Sequence, residues 1–283
     1  MKNAFVWLLI AIPVFVSAQS TNPVTYGDNA AIGKYAEIRG IKMYYETYGA
    51  GQPLLLIHGN SGSIRDWSQQ IPYFAARYQV IVADSRDHGN TLDTLDMQDS
   101  LTYEMMSDDY DALLTHLHID SAYVLGWSDG GINGLLLAMR HPQKVKKLAV
   151  TGANLWPDSS AIEPILLVRF KVQNQMMQRR QESAVKKVLL RHYNLILTQP
   201  NITTAQLGAV KCPTLVMGGD HDAVKVMHTA LIAQSIPNSN LWIAPDAGHG
   251  LPVFKYKDKF NKEVEDFFNR PFKKIQALDM MKN

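Results

Sequence analysis

Ser128, Asp222 and His249 are side-chain types that together can make an alcohol oxygen reactive. A serine hydroxyl is a poor nucleophile near neutral pH. It needs a base within hydrogen-bond reach, and the base needs a carboxylate to fix its tautomer. Ser128 is the centre of a G-x-S-x-G stretch, Gly126-Trp127-Ser128-Asp129-Gly130. By itself that pattern arises by chance in roughly one chain in ten of this length. Its weight comes from its setting. Residues 122–127 are apolar and alternate like a buried strand, and residues 132–140 carry apolar groups at helical spacing, ending before His141-Pro142. A sharp strand-to-helix turn would lift the Ser128 hydroxyl off the sheet. It would also aim the new helix's free N–H groups at the same space, where a developing negative charge is stabilised.

The elements needed to bring the other two groups there are also legible. A hairpin is expected at residues 37–39 and 42–48, turning at Gly40, followed by a wholly apolar strand at 54–57. Such a strand belongs inside a sheet covered on both faces. It runs into the glycine-rich loop His58-Gly59-Asn60-Ser61-Gly62. A helix at 65–77, a strand at 79–83, a helix at 101–118 and a strand at 145–150 follow the same alternation. After residue 205 it resumes: strands at 214–217 and 241–244, helices at 226–236 and 257–268. Strands alternating with helices predict an α/β fold with a mostly parallel sheet and helices on both faces. Ligands sit at the C-terminal ends of such strands, where the loops carrying Asn60, Ser128, Asp222 and His249 fall. Residues 154–205 break the pattern. Cations interleaved with Leu, Val, Met and Phe predict two or three amphipathic helices, a lid inserted after the sixth strand.

The amino terminus reads differently again. Lys2 precedes an apolar run at 4–16, too short for a comfortable span, and Val16-Ser17-Ala18 offers small residues at a cleavage site. We therefore expect a signal peptide at 1–18, cut after Ala18, export to a periplasm or beyond, and no stable membrane insertion once it is removed. Residues 19–32 are polar and turn-rich and are expected to be loosely held. The core is then 19–153 with 206–283. A net charge of +2 without a basic stripe excludes a nucleic-acid partner, and one cysteine, Cys212, excludes an internal disulfide. No His, Asp or Glu grouping has metal-ligand spacing, so neither metal nor cofactor is expected.

On these residues the chain resembles the α/β-hydrolase superfamily. His58-Gly59 is similar to its oxyanion loop, Asp84-Ser85-Arg86-Asp87-His88-Gly89 to its D-x-R-G-x-G loop, Gly219-Asp220-His221-Asp222 to its acid turn, and Gly248-His249 to its histidine turn. Asp87 departs from the glycine usual there. More narrowly, Gly126 to Ile132 and Thr151-Gly152-Ala153-Asn154 resemble the biphenyl-hydrolase-like, or valacyclovir hydrolase, serine esterases. The resemblance implies an α/β-hydrolase fold in which Ser128 attacks an acyl carbon, His249 relays the proton and Asp222 orients the ring. The backbone N–H groups of Asn60 and Asp129 would form the oxyanion hole. Asp220 competes with Asp222 as the acid, but the G-x-x-D spacing favours Asp222.

Asp129 is the unusual residue of the elbow. A carboxylate beside an oxyanion donor opposes the charge built up in the reaction. Either it gains from the helix N-terminus, about 0.3–1 kcal/mol, or it binds a substrate cation. Opposite charges ~4 Å apart at an effective dielectric near 20 attract by roughly 4 kcal/mol before desolvation. The esterase group's preference for α-amino-acid esters fits the second. Trp127, Trp156 and His58 are further candidates for substrate contact, with packing, or for His58 a bridge between loops, as the competing role. The expected activity is hydrolysis of small to medium carboxylic esters through an acyl-enzyme. Lactonase, perhydrolase or carbon–carbon hydrolase chemistry, and a non-catalytic binder that keeps the fold, are the alternatives.

Overall fold

The computed structural model describes residues 24–93 and 101–273. The segment read as a signal peptide lies outside them. Strands β1 (Lys34–Ile38) and β2 (Ile41–Tyr48) form a hairpin through Arg39 and Gly40, both at positive φ. Then come β3 (Gln52–Ile57), helix α1 (Gln70–Ala75), β4 (Tyr78–Ala83), a two-residue β5 (Leu92–Asp93), α2 (Tyr103–His116), β6 (Ala122–Trp127), α3 (Asp129–Arg140) and β7 (Val145–Thr151). The inserted helices are α4 (Pro164–Gln178) and α5 (Ala184–Thr198). Strand β8 (Thr214–Gly219), α6 (Val226–Ser235), β9 (Ser239–Ala244) and α7 (Lys257–Asn269) complete the order.

The strands lie in one sheet in the order β1-β2-β4-β3-β6-β7-β8-β9, with β5 added on β2. Pairing is antiparallel from β1 to β4 and parallel from there to β9. The unforeseen β5 makes the insertion follow the seventh strand in chain order rather than the sixth. Alternation along β3 shows how the sheet is buried. Leu55 and Ile57 pack with α2, α3 and α6 residues such as Leu113, Leu135 and Ile232, while Leu54 and Leu56 pack with Phe74, Phe260 and Phe267 of α1 and α7. Each such side chain fully removed from water contributes about 1.5–3 kcal/mol. The helix expected at 65–77 is shorter. A 3-10 turn at Ile64–Trp67, capped by Ser63 and Asp66, precedes α1.

Residues 27–29 are not loose. Buried Glu46 accepts hydrogen bonds from the backbone N–H groups of Gly27 (3.0 Å) and Asn29 (2.9 Å) and from the hydroxyls of Tyr44 and Tyr48. Every oxygen of a carboxylate taken out of water needs such partners. The polar, turn-rich composition concealed that anchor.

Candidate active site

Because the strands from β3 onward are parallel, the loops after β3, β6, β7, β8 and β9 open on one edge of the sheet. Ser128 sits between β6 and α3 with φ 58° and ψ −121°, a strained backbone state for a residue with a side chain. Close packing at the flanking glycines enforces the turn. A Cβ at Gly126 would lie 2.1 Å from the Gly130 carbonyl oxygen, and one at Gly130 would lie 1.9 Å from that of Ile57. The turn is held to β7 by Ser128 N–H donating to the Thr151 carbonyl at 2.8 Å.

Ser128 Oγ and His249 Nε2 are 2.9 Å apart, and His249 Nδ1 is 2.6 Å from Asp222 Oδ1. Asp222 is buried and is held by N–H groups of its own turn, Val224 to Oδ1 (3.2 Å) and Gly219 to Oδ2 (3.4 Å). The rival Asp220 is exposed and accepts instead from Ala247 N–H at 3.1 Å. Trp127 fastens the histidine loop, its indole N–H donating to the His249 carbonyl at 2.8 Å. Burial by itself would lower the His249 pKa; the hydrogen bond and charge of Asp222, with the charge of Asp129, outweigh it and leave the pKa raised.

Asn60 and Asp129 are joined across the elbow. The Asn60 side-chain amide donates to Asp129 Oδ2 at 2.9 Å, and Asn60 Oδ1 accepts from the Ser61 hydroxyl at 3.0 Å. The backbone N–H groups of Asn60 and Asp129 have no hydrogen bond among the described residues. Both residues line the same cavity as Ser128. Asp129 is only 3% exposed. Burial raises its pKa against the lowering effect of Asn60, Tyr103, His58 and His249.

The cavity, about 460 Å³, runs between these loops and the inserted helices. Its floor includes Ser128, His249 and Trp127, and its wall is apolar, with Ile162, Leu166 and Phe170 on one side and Ile196 on the other. Two of the candidate contact residues do not reach it. His58 is buried between loops, its Nδ1 on the Gly59 carbonyl (2.8 Å) and its Nε2 accepting the Ser85 N–H (2.9 Å). Those two bonds fill both ring nitrogens and make it the bridge between the β3 and β4 loops. Trp156 turns outward to Ser160 and lies edge-on to His228.

Asp87 is accommodated rather than disruptive. It keeps the left-handed conformation, φ 62°, and its carboxylate lies 2.8 Å from Arg191 of α5. Neighbouring His192 stacks on His88 at 4.0 Å, contacts Ser61 Oγ (3.0 Å) through Nδ1 and the Asp87 carbonyl (3.1 Å) through Nε2. Sequence reasoning missed this latch. Its only signal was Asp87 standing where a glycine is usual. It also missed that Asp220, His221 and Asp246 meet as an exposed trio.

Residues 52–194 match the family model described as alpha/beta hydrolase fold. The chain belongs to the α/β-hydrolase family. This α/β-hydrolase is 27% identical to serine hydrolase BPHL of Mus musculus, over 92% of this chain and 94% of that protein. It is 26% identical to a putative carbamate hydrolase RutD of Caulobacter sp., over 80% of this chain and 96% of that one. Among solved structures it is similar to the enol-lactonase of Burkholderia xenovorans LB400, at a TM-score of 0.69 and 21% identity, covering 83% of this chain and 100% of that one. That likeness bears on the fold alone. Family and relatives together support hydrolase chemistry.

Proposed function

We propose that this α/β-hydrolase is a serine hydrolase that cleaves small to medium carboxylic esters through an acyl-enzyme intermediate. The observation that carries the reading is the unbroken contact from Ser128 Oγ through the His249 ring to Asp222, at 2.9 and 2.6 Å. His249 Nε2 takes the Ser128 proton as Oγ adds to the acyl carbon. The ring returns that proton to the leaving alkoxide, then activates water in the same way to release the acid. Asp222 keeps Nδ1 protonated and stabilises the imidazolium. The free N–H groups of Asn60 and Asp129 receive the oxyanion, and losing one such donor typically costs about 10²–10³ in turnover. Roughly 460 Å³ of mostly apolar cavity suits an acyl or alcohol group of modest size.

Asp129 supports a preference for α-amino-acid esters. Its carboxylate lies one residue from the nucleophile, lines the cavity, and has one oxygen held by Asn60. The Tyr103 hydroxyl also acts on this carboxylate, and a substrate ammonium close to the scissile bond would share it. Turnover of an ester panel varying acyl length, with aminoacyl and matched deaminated members, tests both claims beside Ser128→Ala. Hydrolysis lost in Ser128→Ala, and an aminoacyl advantage that disappears in Asp129→Asn, are expected. Wild type that turns over no ester removes the esterase reading. Equal kcat/KM for both members of each pair, unchanged in Asp129→Asn, removes the ammonium.

A further inference from the structure

Helix α4 is apolar on two faces. Leu166 and Phe170 look inward and line the cavity. On the opposite side Ile165, Val168, Val172 and Met176 are 73%, 56%, 46% and 61% exposed. Their spacing of three, four and four residues puts them in one stripe along the helix. Scattered exposed apolar residues are ordinary; four aligned on one helix mark a surface that meets something.

Charge says what. Between residues 164 and 198 the chain has seven of its 28 Lys and Arg residues but one of its 26 acids, Glu182, which leaves the rest of the chain net negative. Lys186 is buried and paired with that Glu182, and Arg191 is buried against Asp87. Arg169, Lys171, Arg179, Arg180 and Lys187 are exposed, with no ion pair among the described residues. By helical position Arg169 lies along one side of the stripe and Lys171 along the other, with Arg179 and Arg180 just past the helix end. Of the other acids, Glu163 stands at the helix start and Asp158 shares a surface pocket with Val168 and Lys171.

We propose that the outer face of α4 docks on an anionic lipid surface, with the apolar stripe entering the headgroup boundary and the flanking cations meeting lipid charge. An apolar stripe rimmed by Lys and Arg is the pattern of helices that lie in such an interface. A second copy of this chain fits less well, because a twofold contact would set the cationic rim against itself. The inner side of the same helix forms the cavity wall, so docking places the cavity beside the lipid. The proposal stands whether or not the hydrolytic reading does.

The test uses the full chain with vesicles of phosphatidylcholine alone or mixed with phosphatidylglycerol. Because the apolar amino-terminal segment could itself partition, the helix face is read directly with bimane on Val172→Cys, the unsubstituted chain serving as the blank for Cys212. A blue shift with the mixed vesicles, absent with phosphatidylcholine and weakened by salt, is expected. Val168→Asp with Met176→Asp should weaken binding at least about tenfold, while labelling by a soluble fluorophosphonate stays unchanged. No shift with mixed vesicles, an equal shift with both kinds, or undiminished binding by the double variant would overturn the proposal. So would a dimer in sedimentation velocity that the same two substitutions disperse.

Discussion

At the residue scale the chemistry depends on which form of His249 is present. Burial opposes its protonation, but Asp222 and Asp129 leave its pKa above the ordinary histidine value of 6.5. A general base works unprotonated, so kcat/KM should fall on the acid side with a midpoint above that value. Asp129→Asn removes one negative charge that favours the imidazolium. Its pH–rate profile should therefore shift to lower pH, a displacement that loss of a structural contact alone would not produce. Gly152 offers a second check. It has φ +64°, and an added Cβ would lie 2.7 Å from His249 Cε1. Gly152→Ala should push the ring off Ser128 and cut turnover by about 10²-fold, with circular dichroism confirming a folded chain.

At the element scale the question is how α5 is held over the site. The Asp87–Arg191 contact at 2.8 Å joins two buried groups. Breaking one side of a buried pair costs about 3–5 kcal/mol, while replacing both by apolar groups is often neutral. Arg191→Met should therefore lower the denaturant midpoint strongly. Asp87→Gly combined with Arg191→Met should recover most of the loss, since glycine also relieves the positive φ at 87. Additive losses in the double variant would show that the pair is not a latch. Here the limits of sequence reading are clear. The pairing of Asp87 with a cation more than 100 residues away follows from how the insertion folds back, and nothing local to either residue encodes that. Strands β3 and β6 were legible because a strand buried on both faces must be apolar throughout. The interior of the insertion was not, because α4 is apolar on two sides and blurs the period that would orient it.

At the scale of the whole molecule, buried histidines set the acid limit of stability. His192 and His228 are pushed down to about 4 by burial, and buried His88 is also well below its usual value. His228 is committed as an acceptor, taking the Leu155 N–H at 2.9 Å. Unfolding returns these rings to an ordinary pKa near 6.5. Their depressed folded values leave stability intact above about pH 6.5 and erode it as pH falls below that, by up to roughly 3 kcal/mol for His192 and for His228 on the way to about pH 4. Urea midpoints measured from pH 7 to pH 4 should fall steadily, and His228→Gln should flatten the slope; a flat profile in the wild type would contradict that. The succession of strands along the chain and the three loops that converge were readable because each is a local pattern; the places the strands take in the sheet were not read. For His58 and Trp156 the sequence offered two roles each, and the bridge and the packing role hold rather than substrate contact, because a ring's direction depends on partners the chain brings from elsewhere. The claim beneath all of this is that Ser128 is a nucleophile activated by His249. Fluorophosphonate labelling followed by peptide mapping addresses it directly. Covalent label on Ser128, absent in Ser128→Ala and at least about 10²-fold slower in His249→Ala, is the expected result. A folded wild-type chain that takes no label, or label that persists in Ser128→Ala, would contradict it.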